Sequence, residues 1–321
     1  MSSSAATPST AINNPILHEN TASTGSSSGC WPEFAQNISG EWDGYGADFT
    51  TDGHPIELPE NVVPNAYREW EVKVFDWQTQ CPTLAQPDTS TAMYKLIKLL
   101  PTVGCEADAA TRYTIDERTI GGPDNTVSTF AYQSSGSYTA VWSTQKEKVL
   151  ELEHCLIDPR DKESRVRVLQ IVGVEENGNL VLKNIRVFVE QWYGPFRNGD
   201  QLGGCAIRDT AFATTQALNV SEVLGVWEKS NSIAHFQDSS NGVLQELIPV
   251  DGVEKSEREK ENLVLLPKNL WSSIKETENG EINCCEVGWL LESGRAITSK
   301  CVFSRKAEIK EIVTSTEARE V

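Results

Sequence analysis

Between Val127 and Trp192 the chain repeats one pattern: an alternating segment, a short polar turn, another alternating segment. Ser-Ser-Gly separates Val127–Tyr132 from Ser137–Trp142. Val149 to Ile157 then sets Leu150, Leu152, His154 and Leu156 on one side. After D-P-R-D-K-E-S, Arg165 to Val172 sets Val166, Val168, Gln170 and Val172 together, and E-E-N-G-N leads into Leu180–Trp192. A period of two is the signature of strands with one buried face, and turns this short join neighbours antiparallel. A meander of such strands must also hide its edges, which closure into an up-and-down barrel achieves.

The expectation is therefore an all-β chain with two antiparallel up-and-down barrels, the first larger and the second small. Residues 1–37 read as a disordered tail, 38–205 as the first barrel, 206–221 as a linker able to form a short helix, 222–315 as the second barrel and 316–321 as a tail. Tyr67 to Trp77 is expected as a strand with Trp70, Val72 and Val74 on one face. Ala92 to Leu100 carries helix spacing and strand-like residues equally, so its state stays open. In the second half, short strands are expected near 232–237, 243–249, 262–267, 270–276, 281–291 and 296–305. Asp251 to Glu261, with eight charges in eleven residues, reads as a solvated loop. A barrel this narrow is expected to be filled by its own side chains.

Each half opens on Gly-x-Trp: Gly40-Glu41-Trp42 and Gly225-Val226-Trp227. Glycine lets a first strand bend tightly, and the indole can plug the closed end beneath a cation. Arg305 is the candidate cation for the second barrel, and Arg186 or Arg197 for the first. With these two openings, the phrases L-P-E-N-V-V-P-N-A-Y-R-E-W and D-W-Q-T-Q-C-P make the chain resemble the calycin superfamily, the lipocalin-like barrels. It resembles two-barrel lipocalin-like proteins of unknown function from plants and cyanobacteria. That resemblance implies a cavity for a small hydrophobic molecule. The superfamily also includes bilin lyases and plastid enzymes of xanthophyll and oxylipin metabolism, but none of their catalytic motifs maps onto this chain.

Alternation gives the first barrel an inward ligand-binding set of Trp70, Phe130, Tyr132, Tyr138, Trp142, Leu152, His154 and Gln170, joined by Val72, Leu150 and Val168. His154, Tyr132 and Arg112 are the candidate catalytic groups if the barrel houses chemistry. Arg112 and Asp116 are expected to brace the rim as an ion pair, and Cys81 to sit in a loop beside the mouth as a spectator thiol. The expected function is binding or carriage of an isoprenoid, tetrapyrrole or oxylipin in the first barrel. The alternatives are a cofactor-independent cyclase, isomerase or lyase, and a non-catalytic assembly scaffold.

Net charge of −18 with no Lys/Arg cluster disfavours nucleic acid and anionic membranes as partners. No apolar run reaches the length of a transmembrane helix. Eight cysteines without C-x-x-C spacing, and four histidines, suggest reduced thiols and no metal or cofactor. The expected location is intracellular and soluble, in the chloroplast stroma or cytosol. The sequence leaves the oligomeric state open.

Overall fold

The alternating segments are strands, and the protein is mostly β. A computed structural model describes residues 29–103, 111–144, 148–200, 212–236, 242–276, 282–292 and 294–320. The first half contains α1 (Trp31–Ile38), β1 (Trp42–Phe49), α2 (Asn65–Glu69), β2 (Trp77–Gln80), β3 (Thr83–Gln86), β4 (Thr91–Leu99) and β5 (Arg112–Ile120). It continues through β6 (Thr129–Tyr132), β7 (Tyr138–Thr144), β8 (Val149–Asp158), β9 (Asp161–Val174) and β10 (Leu180–Trp192). The second half contains α3 (Val220–Val223), β11 (Gly225–His235), β12 (Leu244–Glu246), β13 (Ile248–Pro249), β14 (Glu254–Arg258) and β15 (Leu263–Leu266). It ends with β16 (Leu270–Glu276), β17 (Ile282–Leu290), β18 (Arg295–Ser304) and β19 (Ile309–Arg319).

Eleven strands form the first sheet, in the order β12-β6-β7-β8-β9-β10-β1-β2-β4-β3, with β5 also on β4. The sheet is strongly curled. Tyr94 on β4 hydrogen-bonds Glu153 on β8 across the interior, although the two strands stand five places apart in the sheet. Eight strands form the second sheet, in the order β13-β11-β19-β18-β17-β16-β15, with β14 on β11. There Arg258 of β14 lies over the Trp271 ring of β16, which again requires curling.

The two sheets meet back to back. Val166, Val168, Ile185 and Val187 of the first pack with Leu266, Leu270, Val287 and Ile297 of the second. Leu152, Val141 and Val172 pack with Cys285, Cys301 and Phe303. The apolar stripe of β8 and β9 is therefore the convex face, buried against the second sheet. The opposite stripe, with Glu151, Glu153, Arg165 and Arg167, faces the concavity.

Several sequence expectations are corrected here. The tail assignment of 1–37 takes in most of α1, whose Trp31, Phe34, Ala35 and Ile38 form a buried helical face. That face plugs one end of the concavity against Phe130, Tyr132 and Tyr138. Tyr67–Trp77 is not a strand: Pro64 precedes the short α2, and Glu71 ends the turn at φ 55°. Ala92–Leu100, left open by the sequence, resolves as strand: Ala92–Leu99 lie in β4, which pairs with β2, β3 and β5, and its second face is half-buried, so the apolar residues do not alternate cleanly. The charged run Asp251–Glu261 contains β14, which pairs with β11 and buries Arg258. The expected 243–249 strand divides: β12 adds in parallel to β6 of the first sheet, while β13 joins β11 of the second.

Candidate functional site

The concave face of the first sheet carries a chain of buried ions. Glu153 accepts hydrogen bonds from Arg167 Nη1 at 2.8 Å, Tyr138 Oη at 2.7 Å, Trp142 Nε1 at 3.1 Å and the Tyr94 hydroxyl. Arg167 and Arg165 both donate to Glu190, at 2.8 and 2.7 Å. At the open side, Arg118 of β5 bridges Asp116 and Glu151. Burial opposes ionisation of Glu153, but Arg167 and Arg118 outweigh it and hold the carboxyl at about 2. A buried charge is tolerated only when paired and hydrogen-bonded in this way.

Both Gly-x-Trp openings build the same joint. A helix ends, Gly40 or Gly225 takes a positive φ (144° and 116°), and the indole turns back onto the helix. Trp42 Nε1 donates to Ile38 O at 2.8 Å, and Trp227 Nε1 to Val223 O at 2.9 Å, each four residues upstream. Each ring is covered by an arginine tied to a last-strand glutamate: Arg165, 4.2 Å from Trp42 and bonded to Glu190, and Arg258, 5.4 Å from Trp227 and bonded to Glu317. The cations proposed from sequence are corrected accordingly. Arg305 lies in an exposed turn, Arg186 pairs with Asp48, and Arg197 meets Glu41 through its backbone N–H.

The sequence-derived ligand set does not converge on one place. Phe130, Tyr132 and Tyr138 lie in the concavity but pack against α1, with Phe34 5.8 Å from Phe130 and 5.3 Å from Tyr132. Trp142 covers Arg118 and donates to Glu153. Trp70 is 61% exposed, and Val72 is exposed beside it. Leu152, His154 and Gln170, with Leu150 and Val168, belong to the convex face. There His154 Nδ1 lies 2.8 Å from Ser299 Oγ, and Gln170 donates to Ser272 at 2.8 Å. Burial, with Gln170 opposing it, holds His154 at about 4, so it stays neutral between the sheets. Arg112 donates to Gly199 O at 2.5 Å rather than pairing with Asp116, whose partner is Arg118. Cys81 is buried between β2 and β3, and burial raises its thiol pKa.

A group not anticipated from sequence is Asp43. It shares a face of β1 with Tyr45, opposite Trp42. A cleft of about 580 Å³ opens where β1 begins and β10 ends, lined by Asp43, Tyr45, Val166, Val189, Phe212, Lys268 and Trp289 among others. Asp43 is 9% exposed, and its Oδ1 is buried without a hydrogen-bond partner. Burial pushes its pKa up to about 7; Gln80 opposes this with a hydrogen bond, while Glu41 and Glu190 add to it. The available sequence signal was a carboxylate set among small and aromatic residues in E-W-D-G-Y-G.

Fold and site together define an all-β protein of two curled sheets, with ionic interiors and a cleft at one end. No family model matches the chain, and no curated relative matches it. Among solved structures it is similar to a protein of unknown function from the DUF3598 family of Nostoc punctiforme PCC 73102. The TM-score is 0.54 at 13% identity, over 91% of this chain and all of that one. That likeness concerns the fold. Among the described residues no helix is long and apolar enough to cross a membrane.

Proposed function

We propose that the chain binds a small amphipathic molecule in the cleft beside Asp43, and that its two curled sheets are lipocalin-like barrels. The observation that carries this reading is a buried carboxyl with one oxygen unpartnered at the wall of a cleft of about 580 Å³. That volume falls in the usual range for small-ligand sites, which pair an apolar wall with a few placed polar groups. Tyr45, Val166, Val189, Phe212 and Trp289 supply the apolar wall. A hydroxyl or amine of the ligand would donate to Asp43 Oδ1. The aromatic cup expected from sequence is already occupied by α1, so the ligand is placed outside it.

The test is native mass spectrometry of protein isolated from its source, followed by denaturing extraction. A stoichiometric small molecule bound to the native chain, and lost in Asp43→Ala, supports the reading. An unliganded mass that no member of a lipid and pigment panel shifts refutes it. A second reading rests on the same carboxyl: because Asp43 titrates near neutrality, it can both accept and give a proton, as an isomerase or lyase requires. Turnover of the extracted molecule, abolished in Asp43→Asn while binding survives, distinguishes that reading from carriage alone.

A further inference from the structure

The concave face of the second sheet is polar where a narrow barrel was expected to be filled. The register puts Trp227 and Lys229 of β11, Ser273 and Lys275 of β16, Cys284 and Glu286 of β17, Thr298 and Lys300 of β18 and Glu317 of β19 on one face. Part of that face, together with β14, lines a cavity of about 300 Å³ whose wall includes Lys229, Arg258, Lys275, Lys300, Cys284 and Glu286. At about 30 Å³ per water, this holds roughly ten waters, enough for a hydrated ion but small for a lipid.

Four cations face three carboxylates of that face, Glu286, Glu317 and the partly exposed Glu311, an excess of one positive charge (4 − 3) in a protein of net charge −18. Glu257, Glu259 and Glu276 stand at the rim and are exposed, so water screens them. Lys229 and Arg258 are paired with Glu317 at 2.9 Å each, whereas Lys275 and Lys300 make no ion pair among the described residues. Arg258 is 7% exposed and held between Trp227 and Trp271, and its Nη1 is buried with no hydrogen-bond partner. An unmet buried donor is costly, and an oxyanion is the acceptor that a guanidinium and two ammonium groups best satisfy.

We propose that this cavity is a binding site for a small dianionic oxyanion, inorganic phosphate or the phosphate group of an organic monoester, held by Arg258, Lys275 and Lys300. The site is separate from the cleft beside Asp43 and does not depend on it.

Calorimetric titration of the full chain at low ionic strength, with inorganic phosphate and with glycerol phosphate, tests it. Lys275→Gln/Lys300→Gln should weaken phosphate at least tenfold, while Lys306→Gln, in an exposed turn, should bind as the wild type does. Comparable binding of the monoester identifies the phosphate group as the ligand; binding of the inorganic ion alone identifies the free ion. As an independent readout, phosphate should slow alkylation of Cys284, followed by peptide mass, more than an equal ionic strength of chloride does. Absence of binding heat with both probes, equal affinity in the double variant, or an equal loss in Lys306→Gln would overturn the proposal.

Discussion

Asp43 and His154 should make the stability of this protein depend on pH in opposite directions, and Asp43→Asn separates them. The Asp43 carboxyl sits at about 7 in the folded chain against an ordinary 3.8. Between those values the unfolded chain releases a proton that the folded chain keeps, so stability is fully present below about 3.8 and declines as pH rises through 7. A gap of about three pH units, at about 1.4 kcal/mol each, gives a loss of roughly 4 kcal/mol. His154 acts the other way. Its folded value is about 4 against 6.5, so the unfolded chain gains a proton first as pH falls, and about 3 kcal/mol is lost on the acid side. Across pH 4–6.5 the two slopes nearly cancel in the wild type. Urea denaturation of the wild type and Asp43→Asn at half-unit steps from pH 4 to 8 measures the difference directly. The variant should gain about 4 kcal/mol on the wild type over that range, most of it by pH 7. A difference that stays constant across the range would refute the assignment of the titration to Asp43.

Other outcomes follow from the same contacts. His154→Gln should remove the slope that offsets Asp43, leaving a stability that falls steadily from pH 4 to 7 in the same denaturation series. Glu153→Gln removes the carboxylate that pairs the buried Arg167 and is also approached by the partly exposed Arg118; the buried guanidinium is left short of charge, and chemical denaturation should show a loss of about 3–5 kcal/mol. Gly288→Ala would place a Cβ 2.0 Å from the Trp271 ring. The overpacking should cost about 1–3 kcal/mol or more, and the displacement of Trp271 from Arg258 should appear as a change in tryptophan fluorescence. Trp42→Phe keeps a ring for Arg165 but loses the donor to Ile38 O, and should cost about 1 kcal/mol in melting experiments.

The strands of the first sheet are legible in the sequence because their period is two, but that period does not say which stripe faces which way. In β8 and β9 both stripes are buried. The rule that apolar residues face inward assigns Leu152, His154 and Gln170 to the concavity, yet that stripe had a second sheet to cover it. Glu153, Arg165 and Arg167, which read as a solvent face, pair with one another and with Glu190 inside the curl. The same error in reverse hid β14: a run dense in charges suggests a solvated loop, although one of them, Arg258, supplies the cation over Trp227. Gly40, Trp42, Gly225 and Trp227 were legible because their geometry is local, completed within four residues. Their cations were not, since those come from strands distant in sequence, and from different places in the two halves. The cluster of Lys229, Lys275 and Lys300 was invisible for a related reason, and Asp43 left only the faint trace of a carboxylate among small and aromatic residues. Each residue is ordinary on its own strand and acquires meaning only from neighbours the curl brings to it.

The parallel addition of β12 to β6 has a consequence for any attempt to divide the protein. A fragment stopping before the second Gly-x-Trp would contain most of the first sheet but would expose the backbone of β6, including the Phe130 N–H now bonded to Val243 O. It would also lose the Glu246 carboxylate that receives the Cys30 N–H at the entrance to α1. An uncovered strand edge recruits other strands, so the isolated half should pair with copies of itself rather than persist as a monomer. The three residues of β12 thus interlace the two halves: the later one finishes the earlier one's sheet, and the first half is complete only in the presence of the second.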